Sequence, residues 1–416
     1  MDIKYKELSL FYKNLWWLLD SDLNLAMKKY SDSEKRKKEK EFINVIDKII
    51  NFIESFPKED SNREKWKIRG NIFVEKIISM EGIFKLGILD KEMKDSFIKS
   101  TKEFIKAAKN FDSKISYEDI GQAMRNVWIV NMLQQAFNSK IQFSNAIFGY
   151  SMLYPYTDNY LDNINISKLE KRNFNNRFAK KLDGEEVDFI NEHEEKVYRL
   201  LKYIESEFDR NLYPEVYNSL KLIHEGQIHS LNQQDYKSIP YEKDILGISI
   251  EKGGASVIAD GYLVTGKMDN KEELFSYGYG FLLQLCDDLQ DIRVDKENNH
   301  ITLMSQLAGN YKLDSLANKL INLTENIVNN AECFKCKNSK ELKDLIKSNC
   351  IYMILFAVVD NKEYFSERYI DNVTEYLPFS LEYCNNIRFK IENKFKMLKS
   401  NYNGVELEEI LLYFIS

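Results

Sequence analysis

The stretch Phe281 to Asp295 reads FLLQLCDDLQDIRVD, an apolar run into which Asp287, Asp288, Asp291 and Asp295 are set. On a helix, Asp287, Asp291 and Asp295 fall at successive four-residue steps and share one face. Like charges at that spacing oppose helix formation by about 0.2–0.5 kcal/mol per pair, and burial adds the cost of desolvating each carboxylate. Arg293 and Lys296 lie off that face, so a bound hard divalent cation is the expected counter-charge for the converging oxygens. A second cluster occurs in LYPYTDNYLDN, where Asp158 and Asp162 again stand four apart, with Asn159 between them and Pro155 just upstream. Two such helices facing each other would form a cage for magnesium, an ion commonly held by one or two carboxylates together with substrate phosphate oxygens. A diphosphate would then supply the missing ligands. Alone, the pair Asp158 and Asp162 reads more readily as a solvated helix face. The later cluster differs because Phe281 to Cys286 leads straight into it and puts its acids at the end of a buried helix. Asp20 and Asp22 are two apart, cannot share a helical face, and read as a cap or turn.

The elements that must hold these residues are helices. Phe42, Val45, Ile49, Phe52 and Ile53 recur at three- and four-residue steps, and the same periodicity runs through most of the chain without a run of alternating β-branched residues. Only five prolines and sixteen glycines punctuate 416 residues, so long helices and an all-α fold are expected. Residues 1–115, lysine-rich and without clustered ligands, read as an N-terminal helical extension of four or five helices, and residues 116–416 as the domain that carries the acids. The mixed-charge tail Val373 to Ser416 is expected to close one side of the bundle.

Composition narrows the function classes. With 59 basic and 65 acidic residues, a net charge of −6 and 44% apolar residues, the chain is neither disordered nor suited to coating nucleic acid. Its longest apolar run, Ile351 to Val359, is about half of the roughly 20 residues a spanning helix needs, so no stable membrane insertion is expected. MDIKYKELSLFYK lacks the order of a signal peptide, and five cysteines without framework spacing argue against a disulfide scaffold, so a cytoplasmic location is expected. Cys333 and Cys336 form a single C-x-x-C without a second ligand pair for zinc. His193, His224, His229 and His300 show neither triad nor metal spacing.

The two acidic clusters resemble those of the class I isoprenoid synthase superfamily, the trans-prenyltransferases and metal-dependent terpene cyclases. YGYGFLLQLCDDLQD is similar to the second aspartate-rich motif of the prenyltransferases, with Gln284 three residues before Asp287. SIEKGGASVIADGYLV resembles the segment that places a lysine and small residues on the diphosphate, here Lys252 with Gly253 and Gly254. TDNYLDN is similar to the first motif, with Asn159 in place of its second aspartate, and in this form looks closest to large bacterial terpene synthases. The likeness covers roughly residues 117 to 400. It implies a helical bundle around a central apolar cavity and three magnesium ions held by Asp158, Asp162, Asp287, Asp288 and Asp291. It also implies that Lys252, Gln284, Arg172 and Arg125 contact a prenyl diphosphate. Ionisation of that diphosphate, with Asp158, Asp162, Asp287 and Asp291 as the catalytic carboxylates, would be the committed step.

The sequence departs from both main branches. After TDNYLDN the chain reads NINISKLEKRNFNNRF, offering Lys171 with Arg172, and Arg177 further on, where chain-elongating synthases have paired arginines. The asparagine–serine–glutamate triad of plant and fungal cyclases is replaced by D-D-L-Q-D. Terpene cyclisation is therefore the leading reading, trans-prenyl chain elongation the alternative, and a helical protein that keeps the motif without activity a third. Oligomeric state is open, and a homodimer is compatible with the pattern. Arg125 reads equally well as half of a structural ion pair. Trp128, Tyr150, Tyr154, Tyr156 and Phe281 lie near the motifs but fit ordinary core spacing. Gln227, Ser230 and Gln234 make a polar stripe that either borders the pocket or, the slightly preferred reading, satisfies a neighbouring helix, and Arg368 with Tyr369 matches a pair that some bacterial cyclases use as a late diphosphate contact.

Overall fold

Ser31 and Ser167 each open a helix through a reciprocal capping box, the hydroxyl accepting from the backbone N–H three residues on while Glu34 or Glu170 reaches back. Ser116, Ser144, Asn191 and Asp269 cap further N-termini with their side chains. In this computed structural model residues 3–79, 90–163, 165–234, 242–396, 398, 400–407 and 410 are described. Among them the fold is all-α. The first helices are α1 (Ile3–Leu18), α2 (Asp32–Glu54), α3 (Arg63–Ser79), α4 (Lys91–Phe111), α5 (Tyr117–Ala136) and α6 (Asn145–Asp162). There follow α7 (Lys168–Leu182), α8 (Glu192–Glu205), α9 (Pro214–Ser230), α10 (Ile245–Thr265), α11 (Asn270–Gln290) and α12 (Ile292–Glu297). The last are α13 (Asp314–Asn329), α14 (Ser339–Asp360), α15 (Glu367–Thr374) and α16 (Leu381–Lys396). A two-residue Asn403-Gly404 turn, both residues at positive φ, joins the antiparallel strands β1 (Asn401–Tyr402) and β2 (Val405–Glu406).

The centre of the bundle is the pair α10 and α11, each buried along most of its length. Helices α1, α5, α6 and α9 pack on α10, and α1, α13 and α14 pack on α11. Small residues let the central pair approach closely: a Cβ on Gly280 would lie 2.0 Å from the Gly253 carbonyl oxygen. The first 115 residues are shared between two cores. Tyr5, Tyr12 and Trp16 of α1 and Phe104 and Phe111 of α4 belong to the main core. Ile53, Phe56 and Trp66 instead form a smaller core with Leu398, Val405 and Ile410. In the tail, α16 packs against α14 and α2. Asp20 and Asp22 make the expected turn, Oδ1 of Asp20 accepting from the Asp22 backbone N–H at 2.9 Å. No described helix is long and apolar enough to cross a membrane.

The stretch Phe281 to Asp295 is not one helix: it stops at Gln290 and resumes at Ile292, with Asp291 between. Asn361, at the end of α14, donates to the carbonyls of Leu289 and Gln290 at 3.1 and 3.2 Å, satisfying groups that a helix end leaves open. Backbone bonds from Asp291 to Asp287 (3.0 Å) and from Asp295 to Asp291 (2.8 Å) bridge the break, so the three acids keep a common side.

Candidate active site

Helices α6 and α11 both end in acids. Asp158 and Asp162 occupy the last turns of α6, Asp287 and Asp288 those of α11, and Asp291 caps it. Carbonyls at a helix C-terminus carry partial negative charge, which disfavours anions and favours cations there. The two ends open onto one cleft of ≈ 470 Å³, whose lining also includes Asp295, Lys252, Gln284 and Arg125. With Glu118 the cleft walls hold seven carboxylates against the cations Lys252 and Arg125. Helix dipoles and mutual repulsion thus act in the same direction, and two cations against seven acids leave the cleft short of positive charge.

Each cation is already paired with one of the opposing clusters. Lys252 Nζ lies 3.2 Å from Asp158 Oδ1, both side chains largely buried, and Arg125 Nη1 lies 3.6 Å from Asp287 Oδ1, nearer solvent. Asp288 is 3% exposed and accepts from Gln284 Nε2 at 2.9 Å and from Ser249 Oγ at 3.0 Å. Both its oxygens are therefore engaged, whereas Asp287 and Asp291 stay open to the cleft. Gln234 Nε2 donates to Asp162 Oδ1 at 3.0 Å, and Thr302 Oγ1 donates to Asp295 Oδ2 at 3.2 Å.

Burial is the main reason that Asp162, Asp287, Asp288, Asp291 and Asp295 hold their protons above the usual carboxylate range. It pushes Asp288 up to about 7, with Asp287 adding to it and the Gln284 and Ser249 hydrogen bonds opposing. It pushes Asp295 up to about 8, aided by Asp288 and Asp291. Asp287, Asp291 and Asp162 are raised in the same way, Asp162 with help from Asp158. His300 lines the same cleft and is held down to about 4, chiefly by burial and then by Lys252.

The arrangement suits a hard cation. No group of three described His, Cys, Asp or Glu side chains forms a metal sphere by itself. The donors that face the cleft from opposite helix ends are nonetheless carboxylate oxygens, the type magnesium takes, and such an ion normally completes its sphere with water and phosphate. Asp158, Asp162, Asp287 and Asp291 could hold it, with Asp288 anchored more deeply.

Other expected contacts lie elsewhere. Arg172 is exposed and does not line the cleft, because the helical turn directs its neighbour inward: Lys171 is buried and feels the charge of Asp162. Arg177 is bound to Glu194 through two nitrogens. Arg368 is exposed and Tyr369 donates to Asn318 at 2.7 Å. Asn159 also lines the cleft, but its side chain donates to Asp119 and Gln122, both at 3.0 Å, tying α6 to α5. Both readings of the polar stripe are met: Gln227 donates to Thr157 on α6 at 3.2 Å and lines the small apolar cavity, while Gln234 reaches Asp162 at the cleft.

Several contributors carried little signal in the sequence. Ser249 precedes Lys252 by one helical turn and was open to discovery by that spacing. Thr302, His300 and Asn361 come from a loop and a distant helix end, where periodicity offers no guide. Tyr154 lines both the cleft and a neighbouring apolar cavity of ≈ 20 Å³ bounded by α6, α7 and α9. A cavity of that size is far below the roughly 300–1,000 Å³ of ordinary ligand pockets, so a prenyl chain would have to part the side chains around it. Comparison with family models, curated proteins and solved structures returns no match to this chain.

Proposed function

We propose that this chain is a magnesium-dependent class I terpene synthase, built on the helical bundle of that superfamily, that ionises an allylic prenyl diphosphate and releases pyrophosphate. One observation carries the reading: the acids of TDNYLDN and of DDLQD meet across a single cleft with Lys252 and Gln284. A diphosphate bridged by divalent cations complements a cleft with that donor set and that shortage of positive charge.

Magnesium, when bound, supplies Lewis-acid stabilisation of the negative charge that gathers on the leaving diphosphate. Asp158 and Asp162 from one side and Asp287 and Asp291 from the other hold the ions. Gln284 and Ser249 orient Asp288, keeping the end of α11 in place. Lys252, poised on Asp158, turns to a diphosphate oxygen when substrate arrives, and Arg125 on Asp287 does the same at the rim. Tyr154 stands where the charged cleft adjoins the apolar interior, and its ring face favours an allylic cation over bulk water. The chain works in the cytoplasm in this proposal.

Incubation with labelled allylic diphosphates of increasing length, with and without isopentenyl diphosphate, tests it. Magnesium-dependent release of pyrophosphate with a cyclic or linear hydrocarbon or alcohol is expected. A longer linear diphosphate formed only with isopentenyl diphosphate would assign the site to chain elongation. No pyrophosphate from any substrate would remove the proposal.

A further inference from the structure

The apolar cavity beside the cleft contains a histidine. His224 of α9 is 4% exposed and lines that cavity, with Tyr154 at the boundary between the cavity and the acids. Its Nε2 lies 3.2 Å from the Asn175 carbonyl oxygen on α7. A carbonyl only accepts, so Nε2 carries the proton and Nδ1 of the neutral ring keeps its lone pair. The Phe178 ring, about one turn further along α7, stands edge-on to the imidazole at 5.0 Å and 90°. Two contacts from one helix thus fix both the tautomer and the orientation of the ring.

Nδ1 is buried and has no partner. A histidine that merely packs leaves this unexplained, because an orphaned buried acceptor costs stability. Among the described residues lining the cavity, no other has a buried polar side-chain atom in this state. The Gln227 amide donates to Thr157, Thr157 donates to the Leu153 carbonyl, and Tyr150 donates to the Ser256 carbonyl. Burial holds His224 down to about 4, against the lesser opposing pull of the Asn175 bond and of Glu225 beside it, so the ring is neutral at pH 7. A neutral ring suits a hollow that must receive a carbocation: it adds no charge of like sign, and its lone pair is available. The carboxylates that hold metal, and the diphosphate that stays with the metal, lie on the cleft side of Tyr154.

We propose that His224 is the base that ends the reaction, Nδ1 taking a proton from the carbon beside the final carbocation. This rests on the function proposed above and makes the product an alkene. The C–H bond breaks, its electron pair closes a new C=C bond, and the proton forms an imidazolium whose Nε2–H stays on Asn175. A C–H bond beside a carbocation is far more acidic than an imidazolium, so a weak base is enough. The imidazolium hands its proton to water as the product leaves.

H224Q is the main test, since the glutamine amide can keep the bond to Asn175 while the imidazole is lost. It should uncouple ionisation from the last step. Pyrophosphate is still released, but the wild-type alkene falls at least about tenfold as a share of product by gas chromatography and mass spectrometry, replaced by isomers with the double bond elsewhere or by alcohols. H224F, which retains an aromatic ring beside Phe178, should shift the products in the same direction. Nitrogen NMR of the histidine-labelled wild type, with His224 assigned by its loss in H224Q, should show a neutral ring protonated on Nε2 at pH 7 without substrate. An unchanged alkene share in H224Q and H224F, loss of pyrophosphate release in both folded variants, an alcohol as the wild-type product, or a protonated Nδ1 at pH 7 would each overturn this inference and leave the proposed function standing. A wild type that releases no pyrophosphate from any allylic diphosphate would remove both.

Discussion

Asp288 and Asp295 hold their protons to about 7 and about 8, well above the value of about 3.9 expected in an unfolded chain. The folded protein therefore binds more protons than the unfolded one over that window. Stability from these groups is fully present below about pH 4 and is lost as pH rises through about 7 to 8, at about 1.4 kcal/mol per unit of displacement. Thermal melts of the metal-free protein should show a falling Tm from about pH 5 to about pH 8.5, whereas magnesium, which binds ionised carboxylates, should raise Tm more at the alkaline end. A flat profile would mean that the acids do not share a low-dielectric site. Lys252 gives a second residue-level test. Lys252→Ala leaves buried Asp158 without its cation, so a loss of about 1–3 kcal/mol is expected in urea denaturation. Pyrophosphate-release assays should show at least a tenfold higher KM for the allylic diphosphate.

The distance between α10 and α11 sets the spacing of Lys252 and Ser249 on one helix against Gln284 and Asp288 on the other. Gly253 and Gly280 permit that distance, and the carbonyl of each sits where the other's Cβ would be. Gly280→Ala should force the helices apart, costing about 1–3 kcal/mol and weakening magnesium binding measured by calorimetry. Unchanged affinity in a folded variant would show that the site tolerates the shift. Much at this scale was legible beforehand, because a four-residue step fixes which side chains share a face whatever surrounds the helix. That is why Asp158 with Asp162, and Asp287 with Asp291, keep their partnerships. The break at Asp291 was not legible, since it depends on Asn361, about 70 residues away, bonding the last carbonyls of α11. Nor did the sequence separate Lys171 from Arg172, because the side of α7 that packs inward depends on what lies beneath it.

At the scale of the whole molecule, residues before 115 contribute to the main core as well as to the smaller one. Helix α1 fills the gap over α10 and α11 with Tyr5, Tyr12 and Trp16, the first two against Tyr277 and the last against Phe281. Deleting residues 1–20 should therefore leave a poorly folded or aggregated chain by circular dichroism and gel filtration, and a well-folded remainder would show that α1 is dispensable to the core. The sequence by itself determined the helical class, the pairing of acids within each helix and the types of ligand they suit, because these follow from periodicity and side-chain chemistry along one element. Only the tertiary structure decided that the two helix ends meet, that Lys252 rests on Asp158 and that the apolar interior beside Tyr154 is nearly closed. Those are distances between residues far apart in the chain, set by how whole helices pack, and no local spacing encodes them.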